Sequence, residues 1–201
     1  LLDRQIQDIR LTPYTPDTLD SLTAIDKATF IKQAYFRAIQ VARDVYLLAR
    51  RGRPIRLKQV KRVVQNLVDI FDDPNRFLTD LLLLLTGLKN WQGYLFNHAT
   101  NVAVLSIGLG NSIDLDREEL RDLGIAAILA DLGNAGLSSA LLDDGGDLTD
   151  EQTTAIHTHP ARGVALISNM EEMDPALIQS TIISMTHHVG YDGKGYPERL
   201  N

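Results

Sequence analysis

His187-His188-Val189-Gly190-Tyr191-Asp192-Gly193-Lys194-Gly195-Tyr196-Pro197 is the most informative stretch of this 201-residue chain. Just upstream, Asp174 followed by Pro175 reads as a helix N-cap with proline at the first helical position. The two histidines then fall at the far end of that helix. An adjacent pair there sets two ring nitrogens where the chain leaves the helix and can wrap around an ion. Gly193 and Gly195 permit positive φ, and Pro197 stiffens the exit, as a tight turn requires. The stretch admits two readings, a helix-capping turn or one wall of a metal site.

Three more histidines stand upstream, His98, His157 and His159, so all five lie between residues 98 and 188. There are no cysteines, which excludes disulfides and thiolate metal sites and leaves imidazole and carboxylate as the only ligands. Such a set suits Fe, Mn, Zn or Ni, and a shared carboxylate can bridge two ions. Singly, His98 and His159 read equally well as hydrogen-bonded helix histidines. His157 precedes His159 by two residues in what reads as one helix, so the two point to different faces, and His157 is expected on the surface.

Around these positions helical periodicity dominates. Between Ile25 and Arg51, apolar residues recur at Ile31, Ala34, Tyr35, Ala38, Ala42, Val45, Tyr46 and Ala49, one buried helix face ended by Gly52 and Pro54. A second helix reads from Leu57 to Phe71, and Pro74 opens a third through the Leu81–Leu85 run. Further helices read over Tyr94–Gly110 and Arg117–Asp131. Thr149 with Gln152 forms a capping-box pattern that starts another near Asp150. No segment alternates as a strand does, so the chain reads as all-α. Residues 1–21, with Pro13 and Pro16, read as an irregular lead-in or linker, 22–90 as a helical preface, and 91–201 as the domain that carries the histidines. Leu1 in first place and Asn201 just after a turn make a piece of a longer chain the expectation.

Composition narrows the function classes. Hydrophobic residues at 44% and charged residues at 23% are those of an ordinary globular domain, and a net charge of −6 repels nucleic acid. The longest apolar run, Phe77 to Leu88, is broken by Asp80 and too short to span a bilayer, so a cytoplasmic protein without a membrane segment is expected. One basic run, Arg50, Arg51, Arg53, Arg56, Lys58, Lys61 and Arg62, meets no acid in sequence and reads as a solvated surface or as a site for phosphate or a partner. No G-x-x-x-x-G-K-[ST] loop and no G-x-S-x-G elbow is present. The acids Asp143, Asp144, Asp147 and Asp150 lack calcium-loop spacing.

Taken together and in order, these residues resemble the HD-GYP family. The stretch from His187 to Pro197 is similar to H-H-E-x-x-D-G-x-G-Y-P, with Val189 in place of Glu. Ile128-Leu129-Ala130-Asp131-Leu132-Gly133-Asn134 resembles L-L-H-D-I-G-K, and Tyr94 through His98 resembles Y-x-x-x-H. Leu148-Thr149 through His159-Pro160 and Gly163 resembles L-T-x-E…H-P-x-x-G. The resemblance covers roughly residues 35–201.

The resemblance implies an HD-superfamily helical bundle, a divalent-metal centre and cyclic di-GMP as ligand. Asp131 is the implied bridging ligand. One metal would take Asp131, His159, His187 and His188, all present. The other would take His98, Asp131, the histidine of "HD", and a downstream Asp that would lie past Asn201. Ala130 stands at the "HD" histidine, and a methyl group cannot ligate a metal. Asn134 replaces a lysine close to metal and phosphate, and Val189 replaces a carboxylate that could orient an imidazole. One ion or none is therefore expected rather than two. Losing the first ion would cost several kcal/mol, about a thousandfold in rate. The turn Asp192, Gly193, Gly195, Tyr196, Pro197 is retained, as a surface for the dinucleotide or a diguanylate cyclase domain.

Three functions compete. The leading one is a degenerate signalling module, a weak or inactive phosphodiesterase that binds nucleotide or a protein partner, with a homodimer left open. The second is an active phosphodiesterase giving the linear dinucleotide or GMP. The third is a helical interaction domain similar to the related HDOD modules.

Overall fold

The apolar stripe between Ile31 and Ala49 is buried along its whole length in a computed structural model that describes residues 24–72, 76–87, 94–138, 141, 148–170 and 174–197. It forms one face of α1 (Ala24–Arg50). The chain continues through α2 (Leu57–Phe71), α3 (Arg76–Thr86), α4 (Tyr94–Ser112) and α5 (Arg117–Leu129) to a 3-10 turn (Leu132–Gly136). Helices α6 (Asp150–His157), α7 (His159–Ser168) and α8 (Pro175–Thr186) complete it. Among the described residues no strand forms, only one isolated bridge between Val189 and Gly195. The all-α reading holds. None of these helices is long and apolar enough to cross a membrane.

Local capping signals account for three helix starts. Thr149 and Gln152 make the capping box read from the sequence, with Gln152 N–H donating to Thr149 Oγ1 at 3.2 Å and Thr149 N–H to Gln152 Oε1 at 2.8 Å. Asp174 caps α8 through the Ala176 amide at 3.0 Å, with Pro175 in the first turn. A second capping box, Asp116 with Glu119, starts α5 and was not expected. The lead-in 1–21, the boundary near Leu22, Pro74 and the acids Asp143, Asp144 and Asp147 lie outside the described residues.

The helix expected over Tyr94–Gly110 runs on to Ser112, and two boundaries beside Asp131 and His159 also differ from the sequence reading. The helix expected over Arg117–Asp131 stops at Leu129, and the chain tightens into the 3-10 turn. The tightening brings Gly133 so close to α7 that a Cβ there would lie 1.9 Å from the His159 carbonyl oxygen. His157 and His159 do not share a helix either. His157 ends α6, Thr158 is the junction, and His159 starts α7. Pro160 is the cause: without an N–H it cannot donate to the Ile156 carbonyl four residues back, so α6 cannot run on.

The core is one continuous cluster from Phe30 to Leu177, drawing on α1, α2, α3, α4, α5, α7 and α8. Helix α1 packs against α4 and against the 3-10 turn, and α5 lies between α4 and α8. Arg117, at the start of α5, pairs with Asp69 and Asp72 at the end of α2. The basic run is mostly exposed, but Lys61 does meet an acid, Asp174. The ends of α5 and α8, the 3-10 turn and the start of α7 thereby converge on one place.

Candidate metal centre

Asp131 sits between α5 and the 3-10 turn, with its side chain 19% exposed. Its Oδ1 lies 3.2 Å from His159 Nε2 and 3.6 Å from His187 Nε2, and its Oδ2 lies 3.5 Å from His98 Nε2. Asn134, three residues on, donates from Nδ2 to the same Oδ1 at 2.9 Å. Asp131, His159, His187 and His188 each offer a ligand atom, all within 4.8 Å of one another. His98 approaches from the opposite carboxylate oxygen and lies outside that group of four. Among the described residues no other such group occurs.

The backbone fixes which nitrogen faces the centre. His159 is buried, and its Nδ1 lies 2.8 Å from the Ile156 carbonyl, the one to which Pro160 cannot donate. His187 Nδ1 lies 3.1 Å from the Ile183 carbonyl and 3.0 Å from that of Ser184, at the end of α8. A carbonyl only accepts, so both rings carry their proton on Nδ1 and present an Nε2 lone pair inward. Those two Nε2 atoms are 3.1 Å apart beside a carboxylate oxygen. Lone pairs and a negative charge at that distance need a cation among them, either an added proton or a metal ion. Four donors about 2.1 Å from a tetrahedral ion stand about 3.4 Å apart, so the spacing fits a divalent metal.

The titration behaviour follows from the same contacts. Burial pushes the Asp131 carboxyl up, but His187 and His98 hydrogen-bonding to it, and the charges of His159 and His187, hold it well below the usual carboxylate range. Burial lowers His159, partly offset by the Ile156 carbonyl and by Asp131. Burial also lowers His187, but its contacts with Asp131 prevail and raise it. His188 is pushed down to about 4, by burial first and then by the neighbouring His187 and His159.

Packing around the centre is close. Ser184 Oγ donates to the carbonyl of Ala130 at 3.0 Å and ties α8 to the end of α5. A Cβ on Gly163 would come within 2.3 Å of that hydroxyl. Ala130 itself is buried, with no donor atom in its side chain. Val189 opens the turn, bridged to Gly195. Gly193 and Gly195 take positive φ, +75° and +106°, and a Cβ on Gly195 would fall 2.0 Å from the His188 carbonyl oxygen. Asp192 is exposed and serves the turn, accepting from the Lys194 amide at 3.1 Å and pairing with Lys194 Nζ at 3.1 Å. The Tyr196–Pro197 peptide is cis.

The HD domain family matches residues 87–201, more than half of the chain. This chain belongs to the HD domain family. The all-α architecture is accordingly the HD-superfamily bundle, and the resemblance to HD-GYP members holds. A cyclic di-GMP phosphodiesterase of Pseudomonas aeruginosa is 28% identical over 58% of this chain and 27% of its own length. The cyclic di-GMP phosphodiesterase response regulator RpfG of Xanthomonas campestris is 32% identical over 46% of this chain and 24% of its own. A cyclic di-GMP phosphodiesterase of Thermotoga maritima is 27% identical over 66% and 36%. The chain thus spans about a quarter to a third of the curated relatives it matches. No solved structure matches it.

Three contacts of this HD domain escaped the sequence reading. Tyr94 stacks on His98 with ring centroids 5.4 Å apart, a pairing signalled by their i, i+4 spacing on α4. Tyr46 of α1 is fully buried edge-on against Phe96 at 5.9 Å, its hydroxyl without a partner among the described residues and its pKa raised by burial and then by the charge of Asp131. His157 is exposed, as expected, but stacks face to face on Tyr196 at 3.8 Å.

Proposed function

We propose that this HD domain acts in cyclic di-GMP signalling as a one-metal or metal-free module. It binds the dinucleotide or a protein partner and hydrolyses weakly or not at all. The observation that carries this reading is the asymmetry around Asp131. On the Oδ1 side three imidazoles and the carboxylate form a four-donor group. On the Oδ2 side His98 stands with Ala130 at the position where the family's histidine would be. A divalent ion held by Asp131, His159, His187 and His188 would supply positive charge to a phosphate oxygen. His159 and His187 keep their Nε2 lone pairs aimed at that place, and Asn134 holds Oδ1 by hydrogen bond without the positive charge a lysine would bring.

The turn from Asp192 to Pro197, with Tyr191 fully exposed beside it, is the surface we assign to the dinucleotide or to a diguanylate cyclase domain. Residues 91–201 would form the ligand-binding unit and 22–90 its helical support, in a cytoplasmic protein.

The test is cyclic di-GMP hydrolysis by the full-length protein, supplied anaerobically with Fe(II) or Mn(II). No product is expected from folded protein. Linear dinucleotide or GMP at several turnovers per minute would sink the reading and make this a phosphodiesterase with an unusual centre. The double variant Ala130→His, Asn134→Lys is expected to gain hydrolysis that the parent lacks.

A further inference from the structure

His188 differs from the other two imidazoles of the cluster in how it is held. His159 and His187 are each locked by Nδ1 to main-chain carbonyls. The His188 ring makes no hydrogen bond among the described residues and is bounded by rings instead. Tyr196 lies nearly parallel on its face, with centroids 4.4 Å apart and planes at 20°. His187 meets it tilted at 4.1 Å, and His159 meets it edge-on at 5.0 Å. The opposite face of Tyr196 is covered in turn by His157, at 3.8 Å and 17°. His188, Tyr196 and His157 therefore form one three-ring pile that runs from the donor cluster out to the surface.

From this pile we infer that His157 is a positioning residue for the metal ligand His188, acting through the ring of Tyr196. Its role rests on the one-metal reading above. Tyr196 belongs to an exposed turn and is itself half-buried, so without a ring outside it the tyrosine can swing outward and free the His188 ring to rotate. Helix α6 is the device that supplies the outer ring. The break at Thr158 turns His157 away from His159 and onto Tyr196. A flat face is what the pile requires. A phenyl ring at position 157 therefore serves, and a methyl group does not. With both faces of Tyr196 covered, this ring offers a ligand only its edge and hydroxyl.

Two measurements on the full chain test this. In metal-free protein, NMR of the His188 ring protons is expected to show an upfield ring-current shift in the parent and in His157→Phe. That shift moves toward the value of Tyr196→Ala in His157→Ala. Unchanged His188 resonances in His157→Ala would overturn the inference. By calorimetry, Zn²⁺ affinity is expected to fall about tenfold in His157→Ala, within the range seen when residues orienting a ligand are removed, and to recover in His157→Phe. If His157→Phe binds as weakly as His157→Ala, the ring nitrogen rather than its face is what counts, and the inference fails. A parent that takes up no Zn²⁺ sinks the one-metal reading instead, and the ring-proton shifts still decide the pile.

Discussion

Asp131 keeps its charge in a largely buried site because His98, His159, His187 and the amide of Asn134 all face its two oxygens. The consequence is measurable in the metal-free protein. An unfolded histidine titrates near 6.5, whereas folded His159 is lowered and folded His188 is lowered to about 4. Between those values the unfolded chain binds more protons, so stability falls as pH falls from about 6.5 toward about 4. Asp131, whose folded value is depressed, adds stability that is present above about pH 4 and lost on further acidification. His187 has the opposite sign: its folded value is raised, so its contribution is full below about 6.5 and vanishes as pH rises through that folded value. Thermal unfolding of the metal-free chain is thus expected at lower temperature near about pH 4.5 than near about 6.5. His188→Ala should lose about 1 kcal/mol less over that interval, after allowance for solvent screening of a partly exposed ring. Equal losses in parent and variant would contradict the assignment. At this scale the candidate donors were readable in part: His98, His159, His187 and His188 stand out in a chain with only five histidines, whereas Asp131, one of 26 acidic residues, was picked out only through the resemblance. The nitrogen each one presents was not, because it depends on carbonyls freed where helices end. Nor was Tyr46, which falls on the same apolar stripe as Ala42 and Val45 and carries no mark of its own.

The elements around the centre are held by contacts too close for any larger side chain. Gly133 of the 3-10 turn leaves no room for a Cβ against the His159 backbone. Gly133→Ala is therefore expected to cost about 3 kcal/mol or more in urea unfolding. Gly136, at the other end of the same turn, is the internal control: among the described residues a Cβ there would meet only Arg162 Nη1, at 3.8 Å. Gly136→Ala should stay within about 0.5 kcal/mol. Ser184→Ala leaves the buried Ala130 carbonyl without its donor and should cost about 1–2 kcal/mol. Helix starts were the most legible elements, because Thr149 with Gln152 and Asp174 with Pro175 cap them by local chemistry alone. The break between His157 and His159 is encoded too, in the missing N–H of Pro160, which the two-residue spacing of the histidines does not reveal. The early end of α5 was less accessible, since it is set by what α7 places against Gly133.

In the molecule as a whole, α1 covers both α4 and the 3-10 turn, so the first helices and the candidate metal centre rest on one core. A fragment of residues 87–201 leaves uncovered the faces of α4 and α5 that α1 and α2 bury. It is expected to show no cooperative thermal transition, whereas residues 24–201 unfold in one step; circular dichroism distinguishes the two. Zn²⁺ at about a hundred times its Kd should stabilise the longer chain by about 2.7 kcal/mol, because the unfolded chain brings no such donor set together. That all-α architecture was legible because apolar residues recur at helical spacing from Ile31 to Phe71. The convergence of 131, 159 and 187–188 was legible only through a resemblance, since their separation in sequence carries no geometry. Two of the four donors are consecutive residues at the end of α8, beside an exposed turn. Fraying of a single helical turn would thus remove half of this donor set at once, while Asp131 and His159 stay anchored in the core. The residence time of an ion would then be set by how often that one helix end opens, on the timescale of local amide exchange at Thr186–Val189, and not by the lifetime of the fold.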